Sequence, residues 1–319
     1  MICGRRLRSV MCDVTLALAA IAISACGEPS GGPLTEGTLL PVNGTELYVK
    51  RLGSGEPVVI VHGGPMLEHG YLLPHLRPLA DGYELIFYDQ RLSGRSASHV
   101  DSASVRIATF VDDMEEIRRS LDLERIHLIG HSWGGLLAMH YALKHQENLQ
   151  SLVLLNSMSA SSEVWREEER LLAQRLTADD SAERQAILET EAFANRDPDA
   201  IAQLLRLSFR LQFHDTLLVK ELQLYVPEDY ADRSRQFGYM MVDLMGYDLH
   251  DDLAAISVPT LILYGSAEPA AELSGAKLHE SMPNSEFVVI DDAGHFPFIE
   301  QPTGFTDAVR RFLNQNRGR

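Results

Sequence analysis

The sequence predicts an α/β protein: a mostly parallel central sheet with helices on both faces and a helical cap inserted after the sixth strand. Three observations carry this. Short apolar runs alternate with helix-like stretches from Gly37 to Asn156, the pattern of strands joined by helical crossovers. From Ser157 to Ile256 the chain is charged and helix-like, with no convincing strand. The alternation then resumes at Thr260, so the middle segment reads as an insertion into one sheet.

The elements follow in order. Thr38 to Val42 and Glu46 to Arg51 flank Asn43-Gly44-Thr45, and Asn-Gly between β-like runs predicts a hairpin. Val58-Val59-Ile60-Val61 is wholly apolar, as in a strand buried on both faces. Glu84 to Tyr88 is the next strand. Phe110 to Leu121 places Phe110, Met114, Ile117 and Leu121 on one face at helical spacing. Ile126 to Ile129 predicts a strand, Leu136 to Lys144 a helix and Leu152 to Leu155 a strand. After the insertion come the strand Thr260 to Tyr264, a helix around Glu272 to Met282, the strand Phe287 to Ile290 and a final helix from Thr303 to Asn314. Residues 37–156 and 257–319 form the expected core, and residues 157–256 the expected cap or lid, punctuated by Pro198 and Pro227.

The amino terminus is a different material. Arg5, Arg6 and Arg8 precede the apolar run Val14 to Ile23, which ends in Ser24-Ala25-Cys26. A positive start, a short apolar stretch and small residues read as an export signal, and the run is too short to span a bilayer. Ile23-Ser24-Ala25-Cys26 resembles a bacterial lipobox, so residues 1–26 are expected to be a lipoprotein-type signal ending at a lipidated Cys26. The alternatives are an ordinary cleaved signal or an upstream start codon. Residues 27–36 then form a flexible tether, and the expected location is exported, membrane-anchored, and periplasm-facing or extracellular. The three cysteines are Cys3, Cys12 and Cys26, which leaves no internal disulfide after cleavage.

Of 319 residues, 45% are hydrophobic and 23% charged, and the formal net charge is −17. These fractions fit a globular domain. So acidic a chain is a poor nucleic-acid partner, since phosphates call for clustered Lys and Arg.

The chemistry concentrates in three loops. Gly130-His131-Ser132-Trp133-Gly134 matches G-x-S-x-G between an expected strand and helix, the context of a nucleophile elbow. Ser132 is the expected nucleophile. His62-Gly63-Gly64-Pro65 directly follows the run Val58 to Val61. The backbone N–H groups of Gly64 and Trp133 are the expected oxyanion donors. Gly294-His295 follows the last strand, and His295 is the expected general base, since serine needs a base to take its proton. His62 and His131 read as structural parts of their loops. The acid should fall in Gly265-Ser266-Ala267-Glu268-Pro269. Glu268 is the expected residue, Glu272 its rival, and Asp291 and Asp292 more distant ones. The chain has no H-E-x-x-H pattern, and neither cofactor nor metal is expected.

Taken with Tyr88-Asp89-Gln90-Arg91-Leu92-Ser93-Gly94-Arg95-Ser96 and Glu300-x-Pro302, these motifs resemble the α/β-hydrolase superfamily, and within it the proline iminopeptidase branch. The resemblance spans roughly residues 37–156 and 257–317. It implies an α/β-hydrolase fold and a serine hydrolase that cleaves an ester or amide bond of a small molecule or short peptide through an acyl-enzyme. It also implies cap carboxylates that hold a substrate amine. Glu163, Glu167, Glu168, Glu169 and Glu221 are candidates for that role by charge alone. Met66 stands where the family often has another Gly. The alternatives are a carboxylesterase or lactonase with the same triad, and a non-catalytic binding protein on the same fold. Phe209, Phe213, Tyr225, Tyr230, Phe237 and Tyr239 are the aromatics expected to line the lid. The only membrane contact expected is the lipid anchor.

Overall fold

A computed structural model describes residues 36–318. The signal, Cys26 and most of the tether lie outside the described residues. Eight strands form one sheet: β1 (Thr38–Val42), β2 (Thr45–Gly53), β3 (Glu56–Val61), β4 (Tyr83–Tyr88), β5 (Ile126–His131), β6 (Leu149–Leu155), β7 (Thr260–Gly265) and β8 (Ser285–Ile290). Their order is β1-β2-β4-β3-β5-β6-β7-β8. The β1–β2 and β2–β4 pairings are antiparallel, and all the others are parallel. At the hairpin, Val42 pairs with Thr45 across two residues of positive φ, Asn43 at 41° and Gly44 at 77°. That is the turn whose twist matches the strands it joins.

The alternation along β3 decides which helices it meets. Val58 and Ile60 face a layer containing Phe305, Val309 and Phe312 of the carboxy-terminal helix Pro302–Gln315. Val59 and Val61 face Met114 and Ile117 of the helix Ile107–Ser120 and Leu136 of the helix Trp133–His145. All four β3 side chains are fully buried, each worth roughly 1.5–3 kcal/mol of transfer free energy. A sheet buried on both faces therefore needs the unbroken apolar run seen there.

Two elements differ from the sequence expectation. β6 starts at Leu149, three residues early, because the polar Gln150 and Ser151 are tolerated inside the sheet. His127 on the adjacent strand bonds the Ser151 hydroxyl at 2.7 Å. The segment expected as one helix after β7 opens as a π-helical turn, Ala271–Gly275, before the α-helix Ala276–Ser281. The wide turn presses Gly275 onto Phe287 and Tyr264, where a Cβ would lie within 3.0 Å of both rings.

Between β6 and β7 the described chain is helical and contributes no strand to the sheet. Its main helices are Ser162–Ala173, Ala178–Leu188, Pro198–Arg210 and Tyr230–Phe237. Local chemistry sets their starts. Thr177 and Asp180 form a reciprocal capping box. Asp197 accepts two backbone N–H groups just before Pro198, which suits the first helical position because its missing N–H would have no partner there. No described helix is long and apolar enough to cross a membrane.

Candidate active site

The site lies at the carboxyl ends of β3, β5, β6, β7 and β8, where parallel sheets place ligand crevices. β5 runs into Ser132, which caps the helix Trp133–His145 with φ 54° and ψ −120°. This is a strained conformation for a residue with a side chain, and the surroundings hold it. The Ser132 N–H donates to the Leu155 carbonyl at 3.0 Å, and its carbonyl accepts from Met158 at 2.9 Å. The motif glycines are there for close approach. A Cβ on Gly130 would lie 2.4 Å from the Gly134 carbonyl oxygen, and one on Gly134 would lie 2.2 Å from that of Val61.

The Gly294-His295 loop follows β8. The His295 Nδ1–H donates to Glu268 Oε1, and the Asn156 side-chain amide donates to Glu268 Oε2. Asn156 also bonds the Gly294 carbonyl at 3.2 Å. Glu268 is 6% exposed, so this carboxylate is buried with two donors on it. Of its rivals, Glu272, Asp291 and Asp292 are all exposed. The loop is held from below by Glu300, which accepts from Gly294 N–H at 2.6 Å and from the N–H groups of His214 and Asp215 at 2.8 and 2.9 Å. His295 N–H donates to the Gln212 carbonyl at 2.8 Å.

The third loop leaves β3. Gly64 has φ 54°, a conformation open to glycine at little cost. Met66, two residues on, has φ 69° while 8% exposed. The left-handed backbone explains why glycine suits that position, and burial of the Met side chain offsets its strain. Gly64, Ser132, Trp133, His295 and Glu268 border one cavity of about 380 Å³. Trp133 is the first residue of its helix, where backbone N–H groups lack intrahelical partners.

The described helical segment closes the cavity. Phe209, Tyr230 and Phe237 line it, as expected for lid aromatics, but Phe213, Tyr225 and Tyr239 do not. Phe213 instead stacks on Phe296 at 4.7 Å within the core, while Tyr225 and Tyr239 are exposed. Of the five charge-selected carboxylates, Glu168 and Glu169 reach the cavity and Glu163, Glu167 and Glu221 do not. Glu168 is 6% exposed and takes a hydrogen bond from Ser274. Its pKa is pushed up to about 8, first by burial and then by the nearby Glu268 and Glu169 charges, against the Ser274 bond that lowers it.

Some residues that build the site carried no motif signal. Asn156 is a single polar residue at a strand end, with φ 40°. Its position directly after the apolar run Leu152 to Leu155 was the available clue. Tyr71 is an ordinary aromatic in sequence, yet its hydroxyl lies within the loop cluster, 2.7 Å from both Gly63 N and His131 Nδ1. Among the described residues, Glu68, His69 and Asp89 bring three ligand-type atoms close together. Arg95 sits 3.2 Å from Glu68, and Asp89 accepts the backbone N–H groups of His69 and Arg95. Both carboxylates of the trio thus already have partners within the protein.

The family model described as alpha/beta hydrolase fold matches residues 56–302, across the elbow, both flanking loops and the segment between β6 and β7. The chain belongs to the alpha/beta hydrolase fold family. It is a hydrolase of that fold. Among its relatives is a proline iminopeptidase of Lactobacillus delbrueckii subsp. bulgaricus, 28% identical over 294 residues, covering 86% of this chain and 96% of the relative. A proline iminopeptidase of Clostridioides difficile is 24% identical over 294 residues, covering 89% and 99%. Among solved structures, the proline iminopeptidase of Mycobacterium smegmatis superposes with a TM-score of 0.65 at 24% identity, covering 88% of this chain and 98% of that one. A thermophilic esterase from Thermogutta terrifontis superposes with a TM-score of 0.63 at 25% identity, covering 88% and 99%.

Proposed function

We propose that this chain is a serine hydrolase of the proline iminopeptidase type, which cleaves an ester or amide bond of a small substrate through an acyl-enzyme. The observation that carries the reading is the strained Ser132 elbow opening into the same cavity as His295, with the His295 Nδ1–H bonded to buried Glu268.

The Ser132 Oγ attacks the substrate carbonyl while His295 Nε2 takes its proton. Glu268 orients the imidazole and stabilises its cationic form. The backbone N–H groups of Gly64 and Trp133 receive the negative oxygen of the tetrahedral intermediate. His295 then returns the proton to the leaving amine or alcohol. Water, activated by the same His295, cleaves the acyl-enzyme.

Glu168 supports the peptidase form of this reading. A buried carboxylate in an otherwise largely apolar cavity is costly as an anion, and a substrate ammonium is the partner that would let it ionise. A second reading, a carboxylesterase or lactonase, is favoured by Leu172, Leu205 and Met241, which make the cavity a good acyl pocket. A panel of prolyl amides and short acyl esters separates the two, since the peptidase form requires turnover of the free-amine amides.

The test of the common mechanism is fluorophosphonate labelling of the full-length chain, mapped by mass spectrometry. Label on Ser132 that vanishes in Ser132→Ala is the expected result. A folded wild type that takes no label returns the chain to the non-catalytic binding reading. The proposal extends to the amino terminus: Cys26 is the lipid site of an exported, membrane-anchored protein. Palmitate incorporation by the full-length chain, lost in Cys26→Ser, is the corresponding expectation.

A further inference from the structure

Three loops from three strand ends must keep a common geometry if the site is to work: the oxyanion loop after β3, the elbow after β5 and the base loop after β8. One continuous line of hydrogen bonds joins them. The Gly63 N–H donates to the Tyr71 hydroxyl at 2.7 Å, and Tyr71 lies 2.7 Å from His131 Nδ1. On the far side of the ring, His131 Nε2 lies 3.1 Å from the His295 carbonyl.

Only one proton arrangement satisfies every member. A backbone N–H must donate and a carbonyl must accept. The Tyr71 oxygen therefore accepts from Gly63 and donates its single proton to His131 Nδ1, while His131 Nε2 carries the hydrogen given to the His295 carbonyl. His131 is 2% exposed and Tyr71 also 2%. Burial, and the positive charge that His295 can carry, hold the His131 pKa well below its ordinary value. The neutral ring that the bonding pattern needs is thus the one the surroundings favour. The line is also packed: the His131 and His295 rings sit 4.9 Å apart, and a Cβ on Gly63 would lie 2.8 Å from His131 Nδ1. No slack remains for the loops to slide independently.

We propose that Tyr71 and His131 are positioning residues that couple the oxyanion loop to the base loop, so that Gly64 and His295 hold their places relative to Ser132. Neither borders the cavity that Ser132 and His295 line. Their effect passes through the Gly63 backbone, one residue before the oxyanion Gly64, and through the backbone of the base itself. The inference rests on the serine-hydrolase reading above.

The coupling predicts a particular pattern of variants. Tyr71→Phe removes the hydroxyl and cuts the line at Gly63. His131→Gln can still reach the His295 carbonyl with its amide, but it no longer presents the Nδ1 acceptor to Tyr71. Both changes break the same link, so each should lower kcat by about 10- to 100-fold, the scale of an ångström-level misplacement, with KM within about threefold of wild type. The double variant should be no more than about twofold worse than the poorer single one, because the shared link is lost only once. Tyr83→Phe is the control. Its hydroxyl bonds Asn314 at 2.9 Å at the opposite end of the sheet, so its loss should lower Tm and leave kcat unchanged.

The experiment is steady-state kinetics on the full-length chain with the best substrate of the panel, with Tm and circular dichroism to confirm folding. Binding of a boronic acid, which mimics the tetrahedral intermediate, should weaken in parallel with kcat in Tyr71→Phe. Losses that multiply in the double variant, or a Tyr71→Phe enzyme with unchanged kcat and boronate affinity, overturn the coupling. A wild type that takes no fluorophosphonate label on Ser132 instead overturns the underlying serine-hydrolase reading, so the two failures are distinguishable.

Discussion

Glu268 shows what a single residue's surroundings can decide. Its carboxylate meets the imidazole with one oxygen and Asn156 with the other, so both oxygens are engaged. Glu268→Gln keeps the shape but offers an amide where the imidazole needs an anion. The expected loss in kcat is on the order of 10³–10⁴, the scale seen when a triad acid is neutralised, with little change in Tm. Kinetics beside a thermal melt checks this. Glu168 supplies a second expectation. With its pKa at about 8, it is mostly protonated at neutral pH in the empty protein. If it receives a substrate ammonium, KM for amine-bearing substrates should fall as pH rises toward about 8, and Glu168→Gln should remove that dependence. Neutral acyl esters should show neither effect. A pH profile of KM for both substrate classes decides it.

At the scale of elements, the residues that hold the loops to the sheet matter more than the helices' own propensities. Arg91 leaves the loop after β4 and makes two bonds of 2.7 Å to Asp113 on the helix Ile107–Ser120. Asp113 also accepts from Asn43 in the first hairpin at 3.0 Å. Both charged side chains are almost fully buried, at 1% and 2%. Arg91→Met should therefore strand the carboxylate and cost about 3–5 kcal/mol, read by urea unfolding. The double change Arg91→Met with Asp113→Leu should recover much of that loss, because no unpaired charge stays buried. The Asp-Gln-Arg motif was legible in the sequence as a family mark. Its purpose as a tie between the β4 loop, a helix and a hairpin was not, since Asn43 and Asp113 lie 48 and 22 residues from Arg91 and nothing local links them.

Across the whole molecule, the buried carboxylates shape stability against pH. Glu168 has a raised folded pKa, so the stability it contributes is complete below the unfolded value near 4.5 and is lost as pH rises through about 8. Asp89 has the opposite sign. Burial would raise its pKa, but its bond to His69 and the nearby His69 and His62 charges lower it overall. Its contribution is therefore present above the ordinary carboxylate range and is lost as pH falls through the lowered folded value. In Tm measured from about pH 5 to pH 8.5, Glu168→Gln should gain on wild type as pH rises. Parallel curves would mean that Glu168 is ionised throughout.

The sequence by itself determined the sheet, the site of the insertion and the three loops that border the cavity. Those signals are local: apolar runs short enough to be strands, an Asn-Gly turn, and glycines at spacings that let backbone crowd past Ser132. Where a choice depended on distance through space, the tertiary structure decided. It set Glu268 against His295 and left Glu272 exposed, brought Phe209 but not Phe213 to the cavity, and buried Glu168 while leaving Glu163 and Glu167 away from it. Loop position already favoured Glu268 over Glu272, but charge and helical spacing treat the aromatics and the cap carboxylates as equals. Only packing separates them, because burial and hydrogen-bond partners come from elements distant in sequence, 27 residues for Glu268 and His295 and 106 for Glu168 and Ser274.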